Sequence, residues 1–282
     1  MNPVKRRGLL VSGILGKHRF QRFRVFTNFA ALRKTCLRFD LILLTVKSND
    51  TAAACSELRR LGSNVGVVMS VQNGLGNLDT LHRYFPAGQV MAARVIFGVE
   101  LTPGKIRVTV WGGDNLVGET ENVGVSKRSE ELAKLFTSCG LKTHAVSDVR
   151  KPLWAKVIYN CALNPLASLL QVHYGALAEK EGTRFWMDQV VREIYRVADR
   201  MRISLEPPDA EAYLRFFYRR LVPATYHHRP SMLYDLWRGR KTEIDALNGY
   251  ISKVGRKLRV KTPANDMLAT LIKCKEACVS AP

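Results

Sequence analysis

The rhythm of apolar and polar positions changes once along this chain. FDLILLTVK (39–47) is a continuous apolar run closing on a polar residue, as a buried parallel strand would be. A short helix carrying Ala52 to Leu61 follows. Then come VGVVMSVQ (65–72) as a second buried strand, NGLG as a turn and NLDTLHRYF as another helix. Strands alternating with helices predict a doubly wound, parallel α/β sheet. Over 88–119 the runs VMAARVIFGVE, KIRVTVW and NLVGE follow one another directly, with Thr102-Pro103-Gly104 as a turn, and predict an antiparallel continuation. SKRSEELAKLFTSCG reads as a helix capped at Gly140, and LKTHAVS as the closing strand. From Asp148 onward the period is helical, with helices expected at 150–170, 182–202, 208–221, 230–258 and 264–278, punctuated by Pro207-Pro208, Pro223 and Pro263. Two domains, 1–147 and 148–282, are expected, with ligand bound in a cleft between them.

Within KPLWAKVIYNCALNPLASLL (151–170) the apolar residues cover the helix nearly all round, so it should be buried. Lys156, Asn160 and Asn164 nevertheless recur every fourth residue and share a stripe roughly 80° wide. Taken singly, each can be a capping amide or a snorkelling lysine. Three in register on so apolar a helix point to a polar wall facing a ligand, because an unpaired polar group there costs on the order of 1–3 kcal/mol. Pro165 removes a backbone donor directly after Asn164 and frees a carbonyl that needs a partner.

Composition is that of an ordinary globular protein apart from its charge, with 44 Lys and Arg against 24 Asp and Glu, a net +20. Residues 1–39 hold ten of the basic side chains and no acidic one. That segment fits a solvated basic surface near a phosphate-bearing ligand better than an Arg-rich transit-like leader, which usually lacks the strand-like alternation of HRFQRFRVF (18–26); nucleic acid is not the expected partner, although salt-dependent retention on DNA or RNA would reverse this. No apolar run approaches the ~20 residues of a membrane span. The six scattered cysteines lack C-x-x-C spacing and suggest a reducing, cytoplasmic setting. Cys274 and Cys278 lie four apart with no second ligand pair, so no metal is expected.

Two further stretches carry candidate chemistry. SVQNGLGNLD (70–79) places G-x-G-x-x-D between a strand and a helix, a phosphate-loop pattern short of its third glycine. Asn73 in it, and Lys47 after the preceding strand, stand where open sheets bind ligands. In RPSMLYDLWRGRKTEIDALNGY (229–250), Glu243 lies among Arg238, Arg240 and Lys241; on composition alone it is an ion-paired surface residue.

Together DLILLTVKS (40–48), QNGLGN (72–77), LWAKVIYNCALNPL (153–166) and PSMLYDLWRGRKTEIDALNG (230–249) resemble the ketopantoate reductase family, from about Gly8 to the C-terminus. The resemblance implies a Rossmann-like NADPH-binding domain followed by an all-α catalytic domain, and reduction of 2-dehydropantoate to pantoate by a monomer or homodimer. It implies that Lys156 is the proton donor and Glu243 the carboxylate that holds the reacting site. Asn160, Asn164, Ser231 and Asn73 are implied to bind the 2-oxo acid, and Lys47 and Asn73 to meet the cofactor.

The family's opening strand, G-x-G-x-x-G turn and helix have no counterpart before Gly8, where GLLVSGILGKHRF resembles a later excursion. The Rossmann-like domain is thus expected to be incomplete, with an open sheet edge and no helix terminus for the pyrophosphate. Arg6 and Arg7 are left as candidates for a 2′-phosphate. Two alternatives stay open: a non-catalytic remnant without cofactor binding, and a reductase of another 2-oxo acid.

Overall fold

The computed structural model describes residues 4, 8–121 and 124–280. Arg6 and Arg7 lie outside the described residues. In chain order the elements are β1 (Leu9–Gly13), β2 (His18–Phe20), α1 (Phe29–Arg33), β3 (Phe39–Leu44), α2 (Thr51–Arg59), β4 (Val65–Ser70), α3 (Gly76–Tyr84), β5 (Val90–Arg94), β6 (Phe97–Thr102), β7 (Lys105–Trp111), β8 (Asn115–Glu119), α4 (Lys127–Ser138) and β9 (Thr143–Ala145). Helices follow: α5 (Arg150–Leu170), α6 (Tyr174–Ala178), α7 (Glu181–Arg200), α8 (Ala210–Phe216), α9 (Val222–Ala224), α10 (Ser231–Trp237), α11 (Asn248–Leu258) and α12 (Pro263–Ser280). The fold is α/β, with a helical C-terminal half. The chain divides into two compact units, one of Met1–Leu43, Cys55–Val71 and Phe85–Val149, the other of Leu44–Ala54, Gln72–Tyr84 and Arg150–Pro282.

The first unit holds two sheets. One runs β3-β4-β5-β8-β9, with β4 parallel to β5, β5 antiparallel to β8 and β8 parallel to β9. Met69, Met91 and Val117 form the centre of its core, and helix α4 closes over them through Ala133, Leu132 and Phe136. Helix α4 is capped at Ser126, whose hydroxyl accepts from Ser129 N, and it ends in a left-handed Gly140 as its sequence predicts. The other sheet runs β2-β1-β7-β6.

Two expectations are corrected here. The runs over 88–119 do not extend a single sheet. Strands β6 and β7 form a hairpin through Thr102-Pro103-Gly104 that leaves β5 and pairs in parallel with β1 through β7. Alternation along a strand tells which face is wet, not which sheet it joins. Strand β3 is also less buried than a continuous apolar run predicts. It has one neighbour among the described residues and stands at the sheet edge, leaving Leu43 44% exposed.

The second unit packs its helices around α5, with Ile158, Leu163, Met187, Ile194, Phe217, Leu233 and Leu236 fully enclosed. The helix expected over 230–258 is broken into α10, a 3₁₀ turn at Ile244–Ala246, and α11. The break is set by Gly239 in the left-handed region (φ +61°) and by Arg240 N, which donates back to Asp235 O at 2.8 Å. Among the described residues, no helix is long and apolar enough to cross a membrane.

Candidate functional site

Helix α5 is buried along most of its length, and its polar stripe faces a small pocket rather than the helix core. The pocket contains about 250 Å³ of space, counting its open mouth, and is lined by Asn73, Asn160, Asn164, Ser231, Met232, Asp235, Glu243 and Leu247. All eight belong to the second unit, which includes the loop 72–75. Five of the seven residues named from sequence therefore line one cavity together with Asp235. The other two, Lys156 and Lys47, hydrogen-bond to lining residues.

Asn73 is the hub. Lys156 Nζ donates to its Oδ1 at 2.7 Å, and its Nδ2 donates to Glu243 Oε2 at 3.2 Å. The other carboxylate oxygen of Glu243 accepts from the Ser48 hydroxyl at 3.0 Å and from Ser48 N at 3.4 Å. Asn77 steadies the loop by donating to Asn73 O at 2.7 Å, while its own Oδ1 accepts from Thr51. Glu243 is 9% exposed, so it is not the surface ion-pair partner that composition suggests. The break after α10 is what turns it inward.

The glycines of SVQNGLGNLD have a different job from a phosphate loop. Gly74 has φ +86°, and a Cβ there would stand 2.4 Å from Ala246 O; Leu75 N donates to that same carbonyl at 3.1 Å. A Cβ on Gly76 would press on the Tyr250 ring at 3.2 Å. Their smallness lets the loop lie against the turn that bears Glu243, which accounts for the glycine spacing without a dinucleotide.

Lys47, just beyond β3, reaches Asp235 Oδ2 at 2.7 Å, with its own side chain 45% exposed and that of Asp235 10%. The described residues contain no glycine-rich turn that would cradle the pyrophosphate.

Behind the stripe, the carbonyl freed by Pro165 is that of Cys161, four residues back. Asn248 Nδ2 donates to it at 3.2 Å and to Asn265 Oδ1 at 3.0 Å. Asn265 in turn donates to Glu193, whose carboxylate also accepts Ala264 N and Asn265 N at the start of α12. Glu193 is 1% exposed; its charge is held by three N–H donors and by the positive end of a helix.

Sequence reasoning missed Ser48, Asn77, Asp235 and Tyr174. The first three lie inside the recognised motifs. The hydroxyl of Tyr174 donates to Asn164 Oδ1 at 2.6 Å, and only its position shortly after the polar helix hints at this.

Comparison with known proteins agrees along nearly the whole chain. The family model described as ketopantoate reductase PanE/ApbA matches residues 1–122, and its C-terminal counterpart matches 148–276. A 2-dehydropantoate 2-reductase of Aquifex aeolicus is 36% identical over 276 residues, covering 98% of this chain and 87% of the relative. One from Pyrococcus abyssi is 32% identical, covering 84% and 76%. Among solved structures, a PanE/ApbA family ketopantoate reductase from Ralstonia eutropha superposes with a TM-score of 0.83 at 29% identity, covering 99% of this chain and 88% of that one. D-mandelate dehydrogenase with NADH and anilino(oxo)acetate superposes at 0.80 and 25% identity, covering 99% and 88%. With its sequence matched in both halves and its fold shared, this chain belongs to the ketopantoate reductase family of oxidoreductases.

Proposed function

We propose that this protein reduces 2-dehydropantoate to pantoate with NADPH, and that Lys156 donates the proton. The observation that carries the reading is the hydrogen-bonded series Lys156–Asn73–Glu243 beside a pocket whose wall also presents the amides of Asn160 and Asn164, the Ser231 hydroxyl, the Asp235 carboxylate and the apolar Met232 and Leu247. Relatives named 2-dehydropantoate 2-reductase support the substrate.

Bound NADPH supplies a hydride to the ketone carbon. The chain's own residues do the rest. Asn160, Asn164 and Ser231 offer donors to the carboxylate and hydroxyl of the acid. Lys156, tethered at Asn73, holds an ammonium against the carbonyl oxygen, where alkoxide charge develops. It gives that oxygen a proton and is left as an amine, which solvent reprotonates. Glu243 fixes the amide of Asn73 and balances the ammonium's charge. Lys47 and Asn73 would hold the nicotinamide side, with Lys47 kept in place by Asp235. The free thiols suit a reducing cytoplasm, and the protein acts as a monomer or homodimer.

The test is NADPH oxidation across a panel of 2-oxo acids, with cofactor binding measured in parallel. Preference for ketopantoate is expected. Preference for an aryl-substituted acid would favour the second reading, another 2-oxo acid, to which the likeness to D-mandelate dehydrogenase with anilino(oxo)acetate points. Absence of NADPH binding would reduce the protein to a non-catalytic remnant.

A further inference from the structure

Tyr174 opens helix α6 and is 2% exposed. Its hydroxyl donates to Asn164 Oδ1, which engages the carboxamide oxygen and leaves its two N–H donors uncommitted among the described residues. Asn164 lines the pocket. The two edges of a carboxamide are nearly the same shape, and without a partner either could face a ligand; a phenol that donates to the oxygen favours the N–H edge.

The phenol is itself held firmly. It meets the Tyr159 ring edge-on at 5.8 Å and 83°, and the His228 ring at 5.1 Å. Tyr174 N donates to His228 O at 3.0 Å, and Gly175 N to Tyr226 O at 2.9 Å. Gly175 allows this approach, because a Cβ there would fall 2.2 Å from the Tyr226 ring. Residues 226–228 lead directly into Pro230 and Ser231, so one tyrosine ties the α5 wall to the segment that delivers Ser231. Burial holds the phenol well above the usual tyrosine range and keeps its proton available for donation.

The geometry points to Tyr174 as a positioning residue that fixes Asn164 as an N–H donor and thereby selects a substrate carrying a carboxylate over one carrying a neutral amide or ester. The inference rests on the 2-oxo acid reading above and deepens it.

Tyr174→Phe keeps the ring and removes the donor. KM for ketopantoate should rise on the order of tenfold, the loss of one hydrogen bond to a charged group, while kcat and KM for NADPH change less than about twofold. The preference for ketopantoate over its methyl ester should narrow by the same factor. In an Asn164→Ala background, Tyr174→Phe should add nothing, because it acts through the amide; a purely structural tyrosine would lower the melting temperature in both backgrounds and leave the ester preference alone. An unchanged KM in a folded Tyr174→Phe protein, or effects that multiply independently of Asn164, would overturn the inference. Should the unaltered protein turn over no 2-oxo acid, the functional reading fails first. Thermal stabilisation by ketopantoate then decides: loss of it in Tyr174→Phe supports the inference, whereas equal stabilisation, or none in either protein, ends it.

Discussion

Two polar clusters flank helix α5, and they differ in what they leave unpaired. Behind the helix, Cys161 O, Asn248, Asn265 and Glu193 consume one another's hydrogen-bonding capacity, and Asn248 Oδ1 is the one side-chain atom of the three without a partner among the described residues. In front, the Asn160 carboxamide and the Ser231 hydroxyl make no hydrogen bond among the described residues and border open space. Buried polarity is costly, and the rear cluster recovers that cost within the fold, so it serves stability. The front groups, with Ser231 exposed and Asn160 half-buried, keep their hydrogen-bonding capacity free for what enters the pocket.

The contrast is open to attack from both sides. Lys156→Ala should lower kcat by roughly a hundred- to ten-thousand-fold with melting temperature essentially unchanged; turnover within tenfold of the original would remove the lysine from the chemistry. Glu193→Ala should do the reverse, costing about 3 kcal/mol in urea unfolding because two amides at the start of α12 lose their acceptor. Its kcat, measured on folded protein in the cold, should stay the same, and a kinetic defect there would erase the distinction between the clusters. Asn248→Ala should be milder, about 1–2 kcal/mol, for one orphaned carbonyl. The smallest effect concerns pH. Burial pushes the Tyr159 phenol from 10 up to about 12 and raises Tyr174 well above the usual tyrosine range. The neutral forms are favoured in the folded state, so their contribution is complete below about 10 and declines as pH rises toward 12. Burial raises the thiols of Cys55, from 9.0 to about 11, and Cys161 in the same way, so denaturation midpoints should begin to fall near pH 9 and fall more steeply above pH 10; midpoints flat up to pH 11 would contradict the assignment.

What was legible in the sequence followed local periodicity. The stripe of Lys156, Asn160 and Asn164 could be read because one helix sets their spacing, and Asn73 because strand ends are marked by the run before them. Pro165 announced an unpaired carbonyl, yet Asn248 as its partner lies 87 residues away and has no local mark. Glu243 looked like a surface residue because its inward turn depends on a left-handed Gly239 within an otherwise helical pattern. The split of the strands into two sheets was hidden for a similar reason, since pairing of β7 with β1 joins segments about 95 residues apart.

Gly74 has a consequence of its own. Its missing Cβ lets two stretches of main chain touch, and that touch, rather than any rotamer, sets how far the amide at 73 stands from the carboxylate at 243. The spacing depends on one missing methyl group, whose place Ala246 occupies. Adding that methyl would work as a wedge, prising the amide away from the acid while leaving every polar group of the series chemically intact.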